Sequence, residues 1–329
     1  MDNKQKSKKY YDEINIARGI AVILVLWGHA FPDVLSESNI PYHKIMYHII
    51  YSFHMGLFFV LSGFVSSRKI VAGNMNIKNE LFNKIKRLIV PYLFYSFITM
   101  GLKQIFSAFA YNSFDITEFW KILLGKNPNG GLWYLWTLFV VSMLCYLLSK
   151  FKLNSYFYVA IGVFLYLLLY FVPEGFYSNI LKYFVFYALG IVIAKSYDSI
   201  KKVISSNLTA IISAILFAVL LCIKGVPYAI TGILGTAIVM CLSIKISNNK
   251  ESKVFRFFNE TGNYSYDIYL ISYFVQIPIR VIFDSILNMP YYFVVILMLV
   301  LGGIIPYFVC KYIIRKIPIA NKILLGNWK

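Results

Sequence analysis

One strongly apolar stretch near the start of the chain, ARGIAVILVLWGH, contains both an arginine, Arg18, and a histidine, His29. A central arginine in a membrane-spanning helix costs about 2.5–3.5 kcal/mol, so such side chains are expected to face protein or water. His29 follows Arg18 by eleven positions, which is three helical turns plus roughly 20°. We therefore expect both side chains on one face, about 16 Å apart along the helix axis.

The chemistry available to this face is anion binding together with proton transfer. A neutral histidine can take a proton from a hydroxyl group near pH 7, so His29 is the candidate catalytic base. The alternative is a structural histidine bonded to a neighbouring carbonyl or tyrosine. Arginine binds phosphate or carboxylate oxygens with two parallel hydrogen bonds. Arg18 either holds a diphosphate or pairs with an acid such as Asp12, Glu13 or Asp267.

The composition is that of an integral membrane protein, because 59% of the 329 residues are apolar and only 14% are charged. Apolar runs of about 20 residues recur throughout, which predicts an all-α polytopic helix bundle that forms a single domain over residues 1–329. Ten membrane spans are predicted, at residues 14–32, 45–66, 88–110, 131–149, 155–172, 179–195, 207–224, 226–245, 264–288 and 290–314.

The distribution of Lys and Arg predicts the orientation of the bundle. Twenty-four of them fall on the side of the N-terminus, five on the other side, so both termini are expected in the cytoplasm. Residues 1–13 form a basic cytoplasmic leader and 315–329 a cytoplasmic tail. The net charge of +18 is spread over short loops rather than one soluble face, which argues against nucleic acid and for the lipid bilayer as partner.

Helix 2 runs back through the membrane beside helix 1. His48 is expected at the depth of His29, and His54 nearer the middle, so both are candidates for contact with an acceptor. In FHMGLFFVLSGF, Ser62 and Gly63 allow close helix approach or leave space for a thin ligand arm. No CxxC spacing occurs among the four cysteines, and no metal is expected.

Two further motifs lie near the predicted membrane surfaces. In KIKRLIVPYL, Lys86 and Arg87 precede helix 3 on the cytoplasmic side, where they bind anionic lipid heads or a phosphorylated cofactor. In GGLWYLW, the aromatic residues belong to an interfacial belt or stack on a sugar ring; they are Trp133, Tyr134 and Trp136. Asp267, within GNYSYDIYLIS, is expected to pair with Arg280, Arg18 or Lys103.

Taken together, these motifs resemble the acyltransferase family 3 proteins, bacterial integral membrane enzymes that acylate sugars of surface glycans. The resemblance rests on Arg18 and His29, on FHMGLFFVLSGF, KIKRLIVPYL, GLWYL and GNYSYDIYL. It implies transfer of an acyl group, most often acetyl, from cytoplasmic acyl-CoA to a sugar hydroxyl in the bacterial cytoplasmic membrane. By the same resemblance, Arg18 and His29 are essential, and Lys86 and Arg87 bind the donor.

Two departures from the family pattern stand out. Many members have a histidine after the late IYL, where this chain has Ile271 and Ser272, and the usual FHMP ends here in Gly56. No additional SGNH domain is expected, because the sequence ends at Lys329. The rival interpretation is a transporter or exporter of a polysaccharide or its precursor, since intramembrane Arg, His and Asp also suit substrate pathways. A third interpretation, an enzyme that modifies a peptide or lipid amine, differs only in its acceptor. The sequence does not choose between direct transfer and a covalent acyl-histidine relay, and it leaves open the sugar, the hydroxyl group, the acyl chain and the oligomeric state.

Overall fold

The computed structural model describes residues 11–31, 41–72, 76–107 and 115–328, and every regular element in these ranges is helical. The basic leader with Lys4, Lys6, Lys8 and Lys9 lies outside the described residues except at its last three positions. The α-helices are α1 Asp12–Ala30, α2 Pro41–Tyr51, α3 His54–Ala72, α4 Ile77–Lys84, α5 Val90–Ile105, α6 Trp133–Leu148, α7 Ser155–Leu168, α8 Ser178–Lys195, α9 Tyr197–Ile204, α10 Asn207–Leu221, α11 Tyr228–Ser247, α12 Lys253–Arg280, α13 Tyr291–Tyr312 and α14 Pro318–Leu325.

The membrane bundle predicted from the apolar runs is confirmed. Within the described ranges, eight helical segments are long and apolar enough to cross a membrane. A ninth is added if α9 and α10, which meet at a bend of 72°, form one span, and α7 is apolar but shorter. The count of ten spans and the cytoplasmic termini stay predictions.

Several boundaries differ from the predicted ones. The third span begins at Ile77 rather than 88, because α4 continues through a π-helical turn, Ile85–Ile89, into α5. The Val90 N–H bonds the Ile85 carbonyl across this wider turn, just before Pro91. The ninth span begins at Lys253 rather than 264. Both helices extend beyond their apolar stretches through polar residues, which hydropathy does not detect.

Glycines bring two helix pairs into backbone contact. A Cβ on Gly63 of α3 would collide with the Tyr187 carbonyl of α8, and one on Gly190 of α8 with the Val60 carbonyl of α3. This bears out close approach at the Ser62–Gly63 pair. On the other side of the bundle, a Cβ on Gly19 of α1 would collide with the Phe258 carbonyl of α12. These crossings fix α3 on α8 and α1 on α12 with little freedom to slide.

Candidate active site

Arg18 lies in the part of α1 that α12 holds most tightly. One turn before it, the Asn15 amide nitrogen donates to the Asn259 carbonyl at 2.7 Å and to the Asn263 side-chain oxygen at 3.1 Å. One residue after it, Gly19 meets α12 directly. Arg18 itself is partly exposed, and its charge acts on the Tyr134 hydroxyl of α6. Arg18 and Tyr134 therefore belong to the same part of the bundle.

The acids considered as partners of Arg18 pair with other cations. Glu13 binds Lys201 at 2.6 Å and also accepts a hydrogen bond from Tyr197. Asp12 binds Lys250 at 2.5 Å.

Asp267 is buried in α12 and binds Arg315, whose Nε and Nη2 atoms lie 2.8 and 2.7 Å from its carboxylate. The expected pairing of Asp267 with Arg280, Arg18 or Lys103 is therefore wrong. Arg315 is 48 residues away in sequence, beyond another span, so neither periodicity nor local spacing could identify it.

His29 lies in the last turn of α1, against the loop that leads into α6. A Cβ placed on Gly131 would be 3.2 Å from His29 Cε1 and 3.8 Å from Nε2. His29 is partly exposed and acts electrostatically on His54, which is buried. His54 Nδ1 donates to the Ile50 carbonyl at 2.7 Å, which orients its ring. The two imidazoles thus belong to one region of the bundle.

Two tyrosines connect this region with α3 and α12. The Tyr134 hydroxyl lies 3.1 Å from Ser62 Oγ, and its ring packs edge-on against Tyr269 with 5.7 Å between centroids. The Tyr269 hydroxyl donates to the Gly131 carbonyl at 2.6 Å, beside His29. The sequence pattern groups Tyr134 with the interfacial aromatics and does not single out Tyr269. Both belong to motifs already quoted, GLWYL and DIYL, but only their tertiary contacts distinguish them from belt residues.

The basic residues before α5 lie in the π-helical turn Ile85–Ile89 and contact both α12 and the C-terminal segment. The Arg87 guanidinium stacks over the Tyr266 ring at 4.0 Å, and the Tyr266 hydroxyl donates back to the Arg87 carbonyl at 2.5 Å. Arg87 Nη1 donates to the Leu325 carbonyl at 2.6 Å. Lys86 Nζ lies 5.3 Å from the Trp328 ring centroid. The predicted tail 315–329 therefore includes a helix, α14, that packs against the π-helical turn.

These contacts form a chain that connects the π-helical turn at Arg87 with the loop against His29. Arg87 touches Tyr266, and Tyr269 lies three residues further along the same face of α12. Tyr269 then touches both Tyr134 and the Gly131 carbonyl, next to His29. The chain contains two tyrosine hydroxyl groups in addition to that of Tyr134, with the Arg87 guanidinium at one end and the His29 imidazole at the other.

The remaining predicted site residues lie apart from this chain or at its edge. His48 is exposed and lines a cavity between α2 and α10, together with Lys44, Tyr47 and Cys222. Trp133 packs against Tyr183 at 5.2 Å and lines a second cavity near the start of α6. Their roles in acceptor binding stay predictions. Among the residues described, no three His, Cys, Asp or Glu side chains form a group that could hold a metal ion.

Comparison with known proteins gives one family match over most of the chain. Residues 11–308 match the family described as acyltransferase domain. Two nodulation proteins called NolL are each 27% identical, that of Mesorhizobium japonicum over 143 residues and that of Sinorhizobium fredii over 147. The aligned part covers 42% and 43% of this chain, but only 36% and 37% of the two relatives. No solved structure matches with significance.

Proposed function

Because this chain belongs to the acyltransferase domain family, whose match spans residues 11–308, we propose that it moves an acetyl or related acyl group from cytoplasmic acyl-CoA to a hydroxyl group of a cell-surface glycan. It acts in the bacterial cytoplasmic membrane. The observation that carries this proposal is the chain of contacts from Arg87 through Tyr266 and Tyr269 to the surroundings of His29.

The guanidinium end of the chain is the place for the donor. Coenzyme A carries phosphate groups, which arginine binds strongly because its planar fork matches their oxygens. Arg87 uses Nη1 for the Leu325 carbonyl, which leaves several of its five N–H groups for a ligand. Arg18 and Lys86 add two further cations. The thin pantetheine arm then runs along Ser62 and Tyr134 toward His29, over about the 16 Å that separate Arg18 from His29.

The imidazole end of the chain is the place for the reaction. His29 takes the proton of the acceptor hydroxyl while that oxygen attacks the thioester carbonyl, so a C–O bond forms as the C–S bond breaks. The departing CoA thiolate then receives the proton, and His29 returns to its neutral form. Tyr269 and Gly131 hold the loop that lies against the ring, which keeps the base aligned with the bound thioester.

The test uses purified protein in lipid nanodiscs, radiolabelled acetyl-CoA and the unacylated surface polysaccharide extracted from a strain deleted for the gene. The wild-type protein is expected to label the polysaccharide. His29→Ala should reduce transfer by about 10²–10⁴-fold, the usual contribution of a general base, with donor binding retained. Arg18→Ala should instead raise the KM for acetyl-CoA, and Arg18→Lys should recover part of it.

Lys250→Ala is the matched control for loss of a cation. Lys250 is exposed and pairs with Asp12, which lies on the same helix as Arg18. We expect transfer by Lys250→Ala to equal that of the wild type. Full activity of folded His29→Ala protein would exclude the proposed base. Absence of any transfer, combined with movement of the polysaccharide into sealed vesicles, would favour the exporter instead.

A further inference from the structure

A cavity of about 330 Å³ lies near the entrance to α6, outside the chain of contacts described above. Its walls come from the 3₁₀-helix Ile116–Leu124, the first turns of α6 and residues 175–179 before and at the start of α8. We call it the Trp120 pocket. Its volume is at the lower end of the range for small-molecule sites, about 300–1,000 Å³. It therefore has room for a small polar ligand rather than for a helix.

Aromatic faces form the greater part of this pocket. Trp120, Trp133, Trp136 and Phe176 all line it. The Trp136 indole N–H donates to the Leu123 carbonyl at 3.0 Å, and its ring meets Phe176 at 78° with 6.4 Å between centroids. These contacts hold two of the rings at a fixed angle. Trp120 is 50% exposed, so part of its side chain is accessible to a ligand.

Polar groups lie among these rings. Lys121 and Lys126 both bind the carboxylate of Glu118, Lys126 at 2.9 Å, and Lys121 Nζ also lies 5.6 Å from the Trp120 ring. The hydrogen bonds from these two ammonium groups lower the pKa of Glu118, so the carboxylate stays charged at neutral pH. Asn179 adds an amide on the opposite wall. The lining thus offers donors and acceptors at defined positions beside flat apolar surfaces.

The pocket lies beside the loop before α6, which packs against His29. Trp133, which lines it, is two residues beyond Gly131, and Gly131 packs directly against the His29 ring. The cavity is therefore at the imidazole end of the contact chain. A ligand in the pocket could present a hydroxyl group toward His29 without entering the guanidinium end.

We propose that the Trp120 pocket binds a sugar residue of the acceptor glycan, an inference that rests on the acyltransferase function proposed above. A sugar ring has an apolar C–H face, which packs on an aromatic ring, and an edge of hydroxyl groups, which bonds to amide and ammonium groups. The Trp120 pocket supplies both kinds of surface. A lipid chain would gain nothing from Asn179 or from the two lysines that Glu118 holds in place.

The test compares Trp120→Ala with Phe119→Ala. Both residues lie on the same 3₁₀-helix and both are about half exposed, 50% and 54%, but only Trp120 lines the pocket. Loss of one aromatic contact should raise the KM for unacylated polysaccharide about 3- to 10-fold and leave the KM for acetyl-CoA unchanged. Phe119→Ala should leave both constants unchanged.

A second matched pair is Phe176→Ala and Phe171→Ala. Both residues are exposed and lie between α7 and α8, but only Phe176 lines the pocket. Binding of unacylated polysaccharide to His29→Ala protein, measured by calorimetry, separates this inference from the proposed function. If Trp120→Ala and Phe176→Ala bind and acylate the polysaccharide as the wild type does, the pocket is not a sugar site, but the proposed acyltransferase function is unaffected. If His29→Ala remains active while Trp120→Ala binds the polysaccharide weakly, the sugar site is supported and His29 is not the catalytic base.

Discussion

Two neighbouring glycines before α6 provide a sharp test of the role of His29. A Cβ on Gly131 would lie 3.2 Å from His29 Cε1, whereas one on Gly130 meets nothing within 4 Å. Neither is among the positive-φ glycines of the described residues, so alanine fits the backbone at both positions. Gly131→Ala therefore adds a methyl group against the imidazole, and Gly130→Ala adds the same group to open space.

The size of the effect follows from the distance. Carbon atoms rest about 3.5–4.0 Å apart, so the His29 ring must move by about 0.3–0.8 Å. A displacement of about 1 Å in a catalytic group can cost 10²-fold in rate. Scaled to that displacement, kcat for acyl transfer should fall about 4- to 40-fold, or ~0.8–2.2 kcal/mol in activation free energy.

The assay is acetyl transfer from acetyl-CoA to unacylated polysaccharide at saturating donor, with thermal unfolding of the detergent-solubilised variants as the folding control. Gly130→Ala should match the wild type in both measurements. Gly131→Ala should unfold at nearly the wild-type temperature but turn over more slowly. Equal kcat for the two variants would mean that the position of the His29 ring does not limit the reaction, and the proposed base would lose its support.

Three other substitutions, each compared with a control substitution, test the contacts that hold the site. Gly326→Ala combines the strain of a φ of +61° with Cβ contacts of 2.6–2.8 Å to the backbone of Lys86 and Arg87, so it should raise the KM for acetyl-CoA. Gly225→Ala, strained at +80° in open space, should not change that KM. Arg315→Ala leaves buried Asp267 without its cation and should cost about 2–3 kcal/mol of unfolding free energy, less than a fully buried pair because Arg315 is partly exposed. Lys250→Ala removes an exposed lysine from its pair with Asp12 and should lower the unfolding free energy by less than about 1 kcal/mol. Gly63→Ala, which drives α3 from α8, should cost at least about 1–3 kcal/mol, while Gly101→Ala in open space should be neutral or stabilising.

The membrane bundle could be predicted because apolar length is a local property of the sequence. Apolar length did not predict the polar extensions of helices, such as the turns between Lys253 and residue 264, because hydropathy does not detect helical residues that are polar. It also failed at α7, where a predicted span of 155–172 shrinks to Ser155–Leu168. Neither error changes which helices exist, since each predicted apolar run corresponds to a helix.

The site could be predicted only in part, because tertiary pairing decides which polar groups meet. Arg18 and His29 stand out locally, as costly residues in an apolar helix. The partner of Asp267 does not, because Arg315 reaches it across another span. Neither Tyr134 nor Tyr269 could be identified from the sequence, since a tyrosine in an apolar helix has the same local pattern whether it faces lipid or a neighbouring helix.

The position of α12 explains why these missed residues matter together. Tyr266 and Tyr269 lie on one face of this helix, so the element that supports Arg87 at one end of the contact chain also supports the Gly131 loop against His29 at the other. Asp267 lies between the two tyrosines and ties α12 to Arg315, just before the docked helix α14. A change that shifts α12 along its axis therefore moves both ends of the chain at once. Donor affinity and turnover should consequently fall together in Arg315→Ala, whereas Gly326→Ala and Gly131→Ala should each alter only one of them.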